Sequence, residues 1–389
     1  MRIGIDGSCL SNRRGFGRFA RESLKALAAL DSPHQLVVIL DEPSAASVRL
    51  PGGCESVVVA VKDAPSAAAS SRGRRRLSDM LAMGRAAAKA RLDLLYFPAS
   101  YTFFPVWNVP KVIVTMHDTL ALKHPNLVFP TWKGRLAWTL KEHLAVRWSD
   151  LILTVSEASR NDLLEWFRLP GDRVETITEG PDSHFQQGMR SIETEVILER
   201  HGVRSGSRFF LYVGGLSPHK NLLRLIEAYA RAKVGDVRLM IAGDLSDVFH
   251  THIPELRAAV SRLDLDDRVI FTGFVPDADL VAFYSAAEAL VQPSLAEGFG
   301  LPPVEAMACG TPVAASRIPA LLEVIGDAGL FFDPLDLGQM TQTLERLVNE
   351  PGLRDGMARL ARIRSQEFTW EKSARMIMAA FEKLASKGV

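Results

Sequence analysis

Two glutamates, Glu297 and Glu305, bracket the run Glu-Gly-Phe-Gly-Leu-Pro-Pro-Val-Glu, which continues into Ala-Met-Ala-Cys-Gly-Thr-Pro-Val. It follows an apolar stretch, residues 289–292, that reads as a strand, so Glu297 sits on the loop at that strand's C-terminal end. Pro302 and Pro303 suit the first turn of a helix, where a missing N–H costs nothing. Glu305 is expected in that same turn, beside the positive end of the helix dipole. Gly298 and Gly300 let the backbone approach a ligand closely, and the free amides from Gly298 through Phe299 to Leu301 are suited to a phosphate. The segment therefore offers an anion cradle flanked by two acceptors for hydroxyl groups. A nucleoside diphosphate attached to a sugar has that chemistry.

The segment resembles the Glu-x7-Glu signature of retaining glycosyltransferases of family 4, and the resemblance covers nearly the whole chain. It implies an α/β protein of the GT-B fold: two Rossmann-like domains with parallel sheets facing across a cleft, and a C-terminal helix crossing back to the N-terminal domain. It also implies that Glu297 contacts the donor sugar and Glu305 the ribose.

Other segments carry further candidates. Tyr212-Val-Gly-Gly-Leu-Ser-Pro-His-Lys-Asn follows a buried strand and opens a helix, which points the Lys220 ammonium at the same phosphates. It resembles the family's phosphate-binding motif, with Gly215 in the turn. The arginine that many members carry before the lysine is missing; Gly215, Leu216 and His219 fill that region. Either Lys220 works with fewer partners, or another residue such as Arg18 compensates. His117 and Asp118 end a strand, where open α/β sheets bind ligands. The resemblance turns His117 toward the donor sugar, by its imidazole or its backbone carbonyl, and places Asp118 and Ser156 with the acceptor. A helix cap by Ser156 or Ser159 explains that segment nearly as well.

Gly15-Phe-Gly17-Arg18 imitates a dinucleotide fingerprint, but the loop from Asp6 is too long for that tight turn. The family reading is a flexible glycine loop contacting donor phosphate or acceptor. After another strand, Phe274 or Val275 is placed to flank the nucleobase. The catalytic candidates are thus His117, Lys220 and Glu297.

The chain of 389 residues calls for two domains, and 47% hydrophobic with 23% charged residues describes a globular protein with a substantial interior. The 46 basic and 45 acidic residues nearly cancel, which argues against nucleic-acid binding. Three scattered cysteines make neither a disulfide framework nor a metal cluster and fit a reducing compartment. The sequence starts directly with a strand, without a signal-peptide core, and no apolar run approaches the ~20 residues that cross a bilayer. A cytoplasmic protein is expected, free or resting on the inner face of the membrane.

Short apolar runs alternate with amphipathic segments throughout, as parallel sheets covered by helices require. Strands are expected at 2–6, 35–40, 56–61, 92–97, 111–116, 151–155 and 174–177, then at 209–213, 238–242, 269–272, 289–292, 313–315 and 330–332. A polar linker at 180–188 separates an acceptor-binding domain, 1–184 with the helix 371–389, from a donor-binding domain, 185–370. An Ala/Ser tract at 65–76 ends in an arginine run and reads as a surface loop. Residues 131–148 read as a helix rich in tryptophan and cations, which with 72–76 and 101–107 makes either a membrane-facing surface or a core helix with a solvated face.

The resemblance implies a retaining hexosyltransferase, and none of these features calls for a cofactor or a metal. The His-Asp-Thr-Leu and Gly-Gly-Leu-Ser-Pro-His-Lys-Asn stretches look most like those of bacterial mannosyltransferases of surface polysaccharide and O-antigen synthesis, which implies GDP-mannose as the first donor, UDP-glucose or another UDP-sugar next, and a saccharide or lipid-linked saccharide acceptor of cell-surface polysaccharide synthesis. The rivals are a nicotinamide-dependent oxidoreductase built on the Gly15 segment and a non-catalytic nucleotide-sugar-binding protein.

Overall fold

The computed structural model describes residues 1–12, 14–63, 76–129, 131–186, 191–245 and 252–386. The Ala/Ser tract, apart from Arg76, and the end of the expected linker lie outside the described residues. The chain divides into two compact units, Met1–Glu179 with Thr369–Val389, and Gly180–Phe368.

In the N-terminal unit the apolar runs form β1 (Arg2–Asp6), β2 (Gln35–Asp41), β3 (Glu55–Val59), β4 (Leu94–Phe97), β5 (Lys111–Thr115), β6 (Leu151–Thr154) and β7 (Val174–Thr176). They pair in parallel as one seven-stranded sheet, in the order β3-β2-β1-β4-β5-β6-β7. The C-terminal unit adds β8 (Phe209–Val213), β9 (Arg238–Ala242), β10 (Val269–Gly273), β11 (Ala289–Gln292), β12 (Val313–Ser316) and β13 (Gly329–Phe332). These six are also parallel, ordered β10-β9-β8-β11-β12-β13. Helices cover both faces of a parallel sheet, so a central strand such as β4 is buried at every residue and reads as an unbroken apolar run. Every expected strand is present, with ends displaced by at most two residues.

In each sheet the strand order reverses once, between β1 and β4 and between β8 and β11. The loops that leave those strands diverge to opposite faces and open a crevice at their C-terminal ends. Lys220 follows β8 and Glu297 follows β11, so both lie at the reversal of the second sheet.

The final helix, Trp370–Ser386, packs in the N-terminal unit against the helix Gly15–Ala28. Ala374, Ile377, Met378, Phe381 and Leu384 are buried along one stripe, and Phe381 meets Tyr96 of β4 at 5.2 Å between ring centroids. Each large side chain so buried stabilises the attachment by roughly 1.5–3 kcal/mol. Among the described residues no helix is long and apolar enough to cross a membrane.

Candidate functional site

The loop after β8 is built by backbone conformations that few residues adopt. Gly214 has φ +149°, a short 3-10 turn spans Pro218–Lys220, and Asn221 sits left-handed at φ +59° before the helix Leu222–Arg231. Asparagine tolerates that region better than most residues. Its buried side chain donates to the carbonyls of Pro293 at 3.0 Å and Pro334 at 2.8 Å, and the Leu295 amide donates to the His219 carbonyl at 2.8 Å. The loop after β8 is thereby sewn to the loop after β11.

That stitching brings Lys220 onto Glu297. The ammonium donates to both carboxylate oxygens, Oε1 at 2.7 Å and Oε2 at 2.9 Å. Oε1 also accepts from Gln292 Nε2 at 2.7 Å and from Ser294 Oγ at 2.6 Å. Burial by itself pushes the Glu297 carboxyl up, but the Lys220 charge and hydrogen bond, with that of Ser294, outweigh it and hold the group below the usual carboxylate range. His219 is forced the other way: burial and then the Lys220 charge bring its imidazole down to about 3, so it stays neutral. Its Nδ1 is buried without a hydrogen-bond partner.

Beyond Glu297, Gly300 has φ +106°, and a Cβ there would stand 2.8 Å from Leu321. Glycine is therefore dictated by the backbone as well as suited to a ligand. The helix runs Leu301–Cys309 with both prolines in its first turn. Glu305 is its fifth residue and lies one turn further in than the spacing suggested, because the helix begins at Leu301. Its carboxylate is 1% exposed and accepts from Tyr284 Oη at 2.8 Å. Phe299 is buried edge-on against Phe368. Phe274 is exposed and free to meet a base, whereas Val275 is buried. Gly215 is exposed, and its carbonyl accepts from Tyr212 Oη.

The N-terminal unit holds the other candidates. His117 follows β5, donates from Nε2 to the Pro98 carbonyl at 3.0 Å, and faces Glu179 with Nδ1 at 3.4 Å. Phe16 and Phe19 stack edge-on around its ring. Its backbone carbonyl accepts from Ser159 Oγ at 3.1 Å. Asp118 Oδ1 accepts from the Leu120 amide at 2.8 Å, and Ser156 caps the helix Glu157–Phe167 by accepting from the Ser159 amide at 3.0 Å. Gly15, Gly17 and Arg18 form the first turn of the helix Gly15–Ala28 and not a loop. A Cβ on Gly17 would stand 1.8 Å from the Asn12 carbonyl oxygen, while one on Gly15 meets nothing within 4 Å. Close packing therefore explains Gly17 and leaves Gly15 open to a ligand.

Lys220, Glu297 and Glu305, all read from the sequence, lie in one unit, whereas Gln292, Ser294, Tyr284 and Glu179 are partners that sequence reasoning does not single out. Gln292 carried a signal, since it is the polar residue that closes the otherwise apolar Ala-Leu-Val-Gln strand. Among the described residues no group of three or more His, Cys, Asp or Glu side chains is arranged to hold a metal ion.

Two Rossmann-like units of this strand order, each covered by helices, make a GT-B architecture. Sucrose-phosphate synthase from Thermosynechococcus elongatus superposes with a TM-score of 0.79 at 19% identity, covering 100% of both chains. Residues 13–185 match the model of Glycosyltransferase Family 4, and residues 193–364 match that of Glycosyl transferases group 1. O-antigen chain mannosyltransferase B of Escherichia coli is 30% identical over 283 residues, 72% of this chain and 73% of that protein. Serotype-specific mannosyltransferase WbdA of Escherichia coli is 30% identical over 291 residues, which are 73% of this chain and 35% of that larger protein. The chain belongs to glycosyltransferase family 4, and its activity is that of a glycosyltransferase.

Proposed function

We propose that this glycosyltransferase transfers mannose from GDP-mannose, with retention of configuration and without a metal ion, to a saccharide or lipid-linked acceptor in cell-surface polysaccharide synthesis. The observation that carries the donor site is the Lys220–Glu297 pair at the strand-order reversal of one sheet, with Glu305 on the helix behind it. The mannosyl assignment is supported by the names of the two Escherichia coli relatives. In this reading Lys220 and the amides of Gly298, Phe299, Gly300 and Leu301 stabilise the charge that develops on the departing diphosphate. Glu297 accepts from the sugar hydroxyls, Glu305 from the ribose, and Phe274 lies against the base. His117 serves the sugar through its imidazole or carbonyl. The departing phosphate takes the acceptor proton, so no separate general base is required.

Thermal-shift titration with GDP, UDP, ADP and NAD tests the donor class, followed by product analysis with GDP-mannose and UDP-glucose. Stabilisation by GDP and an axial mannosidic product support the reading. Stabilisation by UDP alone moves the donor to a UDP-sugar, and stabilisation by NAD alone, with neither GDP nor UDP bound, refutes the donor-site reading.

The lipid-linked acceptor has its own support in the helix Trp132–Trp148. Trp132, Leu136, Leu140, Leu144 and Trp148 recur every fourth residue and are 70, 60, 59, 38 and 44% exposed. Lys133, Arg135 and Arg147 are exposed beside them, and the helix's one acid, Glu142, is buried. An exposed apolar stripe edged by cations fits an anionic bilayer surface. Co-sedimentation with phosphatidylglycerol vesicles, weakened by Trp132→Ser with Trp148→Ser and absent from phosphatidylcholine vesicles, is the expected result. Equal recovery with and without vesicles removes the membrane from the reading.

A further inference from the structure

The carboxylate of Glu297 is held unevenly. Oε1 accepts three hydrogen bonds, from Lys220 at 2.7 Å, Gln292 at 2.7 Å and Ser294 at 2.6 Å, while Oε2 accepts one, from Lys220 at 2.9 Å. A carboxylate oxygen offers about two lone pairs. Oε1 is therefore oversubscribed and Oε2 is not. If the Lys220 ammonium turns to a diphosphate, Oε1 is left with two donors, which its lone pairs match, and Oε2 is left empty.

The two remaining donors are fixed in direction. Gln292 is 1% exposed and Ser294 is fully buried. The Gln292 amide spends one N–H on Ser294 Oγ at 3.0 Å and the other on Glu297, and the Ser294 hydroxyl passes its own hydrogen to Glu297. Turning the amide over would set its oxygen against the carboxylate. Gln292 Oε1, meanwhile, is buried with no partner. An unpartnered buried acceptor is a cost that a leucine at this strand end would avoid, so packing alone does not account for the residue.

We propose that Gln292 and Ser294 are positioning residues: they pin Oε1 of Glu297 so that Oε2 stays presented to the donor sugar when Lys220 exchanges its carboxylate partner for the diphosphate. This rests on the donor-site reading above and adds the device that keeps Glu297 in place while its charge partner leaves. The Gln292 amide donates only to Ser294 and Glu297, so on this proposal its effect runs through Glu297 to the sugar half of the donor.

The test compares affinities by isothermal titration for GDP with GDP-mannose, and for UDP with UDP-glucose, in Gln292→Leu, Ser294→Ala and Glu297→Gln. Gln292→Leu is expected to leave nucleoside diphosphate affinity within about twofold of wild type and to weaken the sugar conjugate about tenfold, the worth of one hydrogen bond to a charged group. Combined with Glu297→Gln, it should add little, because both changes act through one carboxylate. A proportional loss for the diphosphate and its conjugate would reveal structural damage in place of positioning. Unchanged ratios in Gln292→Leu with a clear loss in Glu297→Gln would overturn the positioning role and leave the donor site standing. A ratio unchanged in Glu297→Gln, or binding of neither pair, would refute the donor-site reading and this proposal with it.

Discussion

Replacing Lys220 by methionine tests the electrostatics of the site without any ligand. The side chains of Lys220 and Glu297 are 17% and 12% exposed, and the ammonium supplies two of the four hydrogen bonds on the carboxylate. Removing one partner of a buried pair typically costs about 3–5 kcal/mol, because a charge is left buried alone. Here Gln292 and Ser294 remain as donors. The loss should therefore fall near 2–3 kcal/mol, which for a unit of this size lowers its melting temperature by about 5–10 °C. The sign with pH is decisive. In the wild type the Glu297 carboxyl is held low, so its contribution is present above the unfolded value of about 4.3 and is lost as the pH falls through the folded value. In the variant burial prevails and the carboxyl is pushed up, so the destabilisation is full above that raised value and fades on acidification. Scanning calorimetry at about pH 7.5 and about pH 4.5 should show a wide gap between wild type and variant that narrows at the lower pH. Adding Glu297→Gln should recover much of the loss at neutral pH. A gap of equal size at both pH values, or none at either, contradicts the claim that Lys220 keeps this carboxylate charged.

Gly17→Ala should be lost from soluble expression or melt far lower, because its Cβ would enter the Asn12 carbonyl, whereas Gly15→Ala should be neutral or gain up to about 1 kcal/mol in thermal denaturation. Glu305→Ala should weaken the nucleoside diphosphate and its sugar conjugate in proportion, since ribose is common to both; titration calorimetry showing unchanged affinity would remove the ribose role. Transfer activity should survive EDTA, and activity lost to the chelator and restored by magnesium would establish a metal requirement.

How much of this could be read from residues alone differs by element, and the differences have physical causes. Parallel strands buried on both faces announce themselves as apolar runs, so all of them were visible. Their ends were not, because Val61 and Leu92 are apolar yet lie beyond the ladders of β3 and β4. Residues 15–18 looked like a loop since glycine and polar residues dominate and no side chain caps the helix; the structure shows that the glycine at 17 serves close packing of a helix start on Asn12. The helix Trp132–Trp148 resisted assignment for a different reason. With large apolar residues all around it, its pattern named no inward face, and only the burial of Glu142, Ala145 and Val146 shows which side the fold uses.

The site was legible where backbone chemistry dictates the residue and opaque where adjacency does. Gly300 and the two prolines mark a helix start in any context, and Asn221 and Lys220 mark the turn after β8. Nothing in the sequence said that the loops after β8 and β11 are stitched together by Asn221 and the Leu295 amide, because that depends on β8 and β11 being neighbours in the sheet. Once they are neighbours, Lys220 and Glu297 come within reach of each other, and in the proposed donor site a diphosphate competes with this carboxylate for the ammonium. The missing arginine before Lys220 sharpens the point. His219 stands in that region but is held neutral, so Lys220 is the cation tied to this carboxylate, and on the proposed donor-site reading it is through Lys220 that an arriving phosphate would act on Glu297.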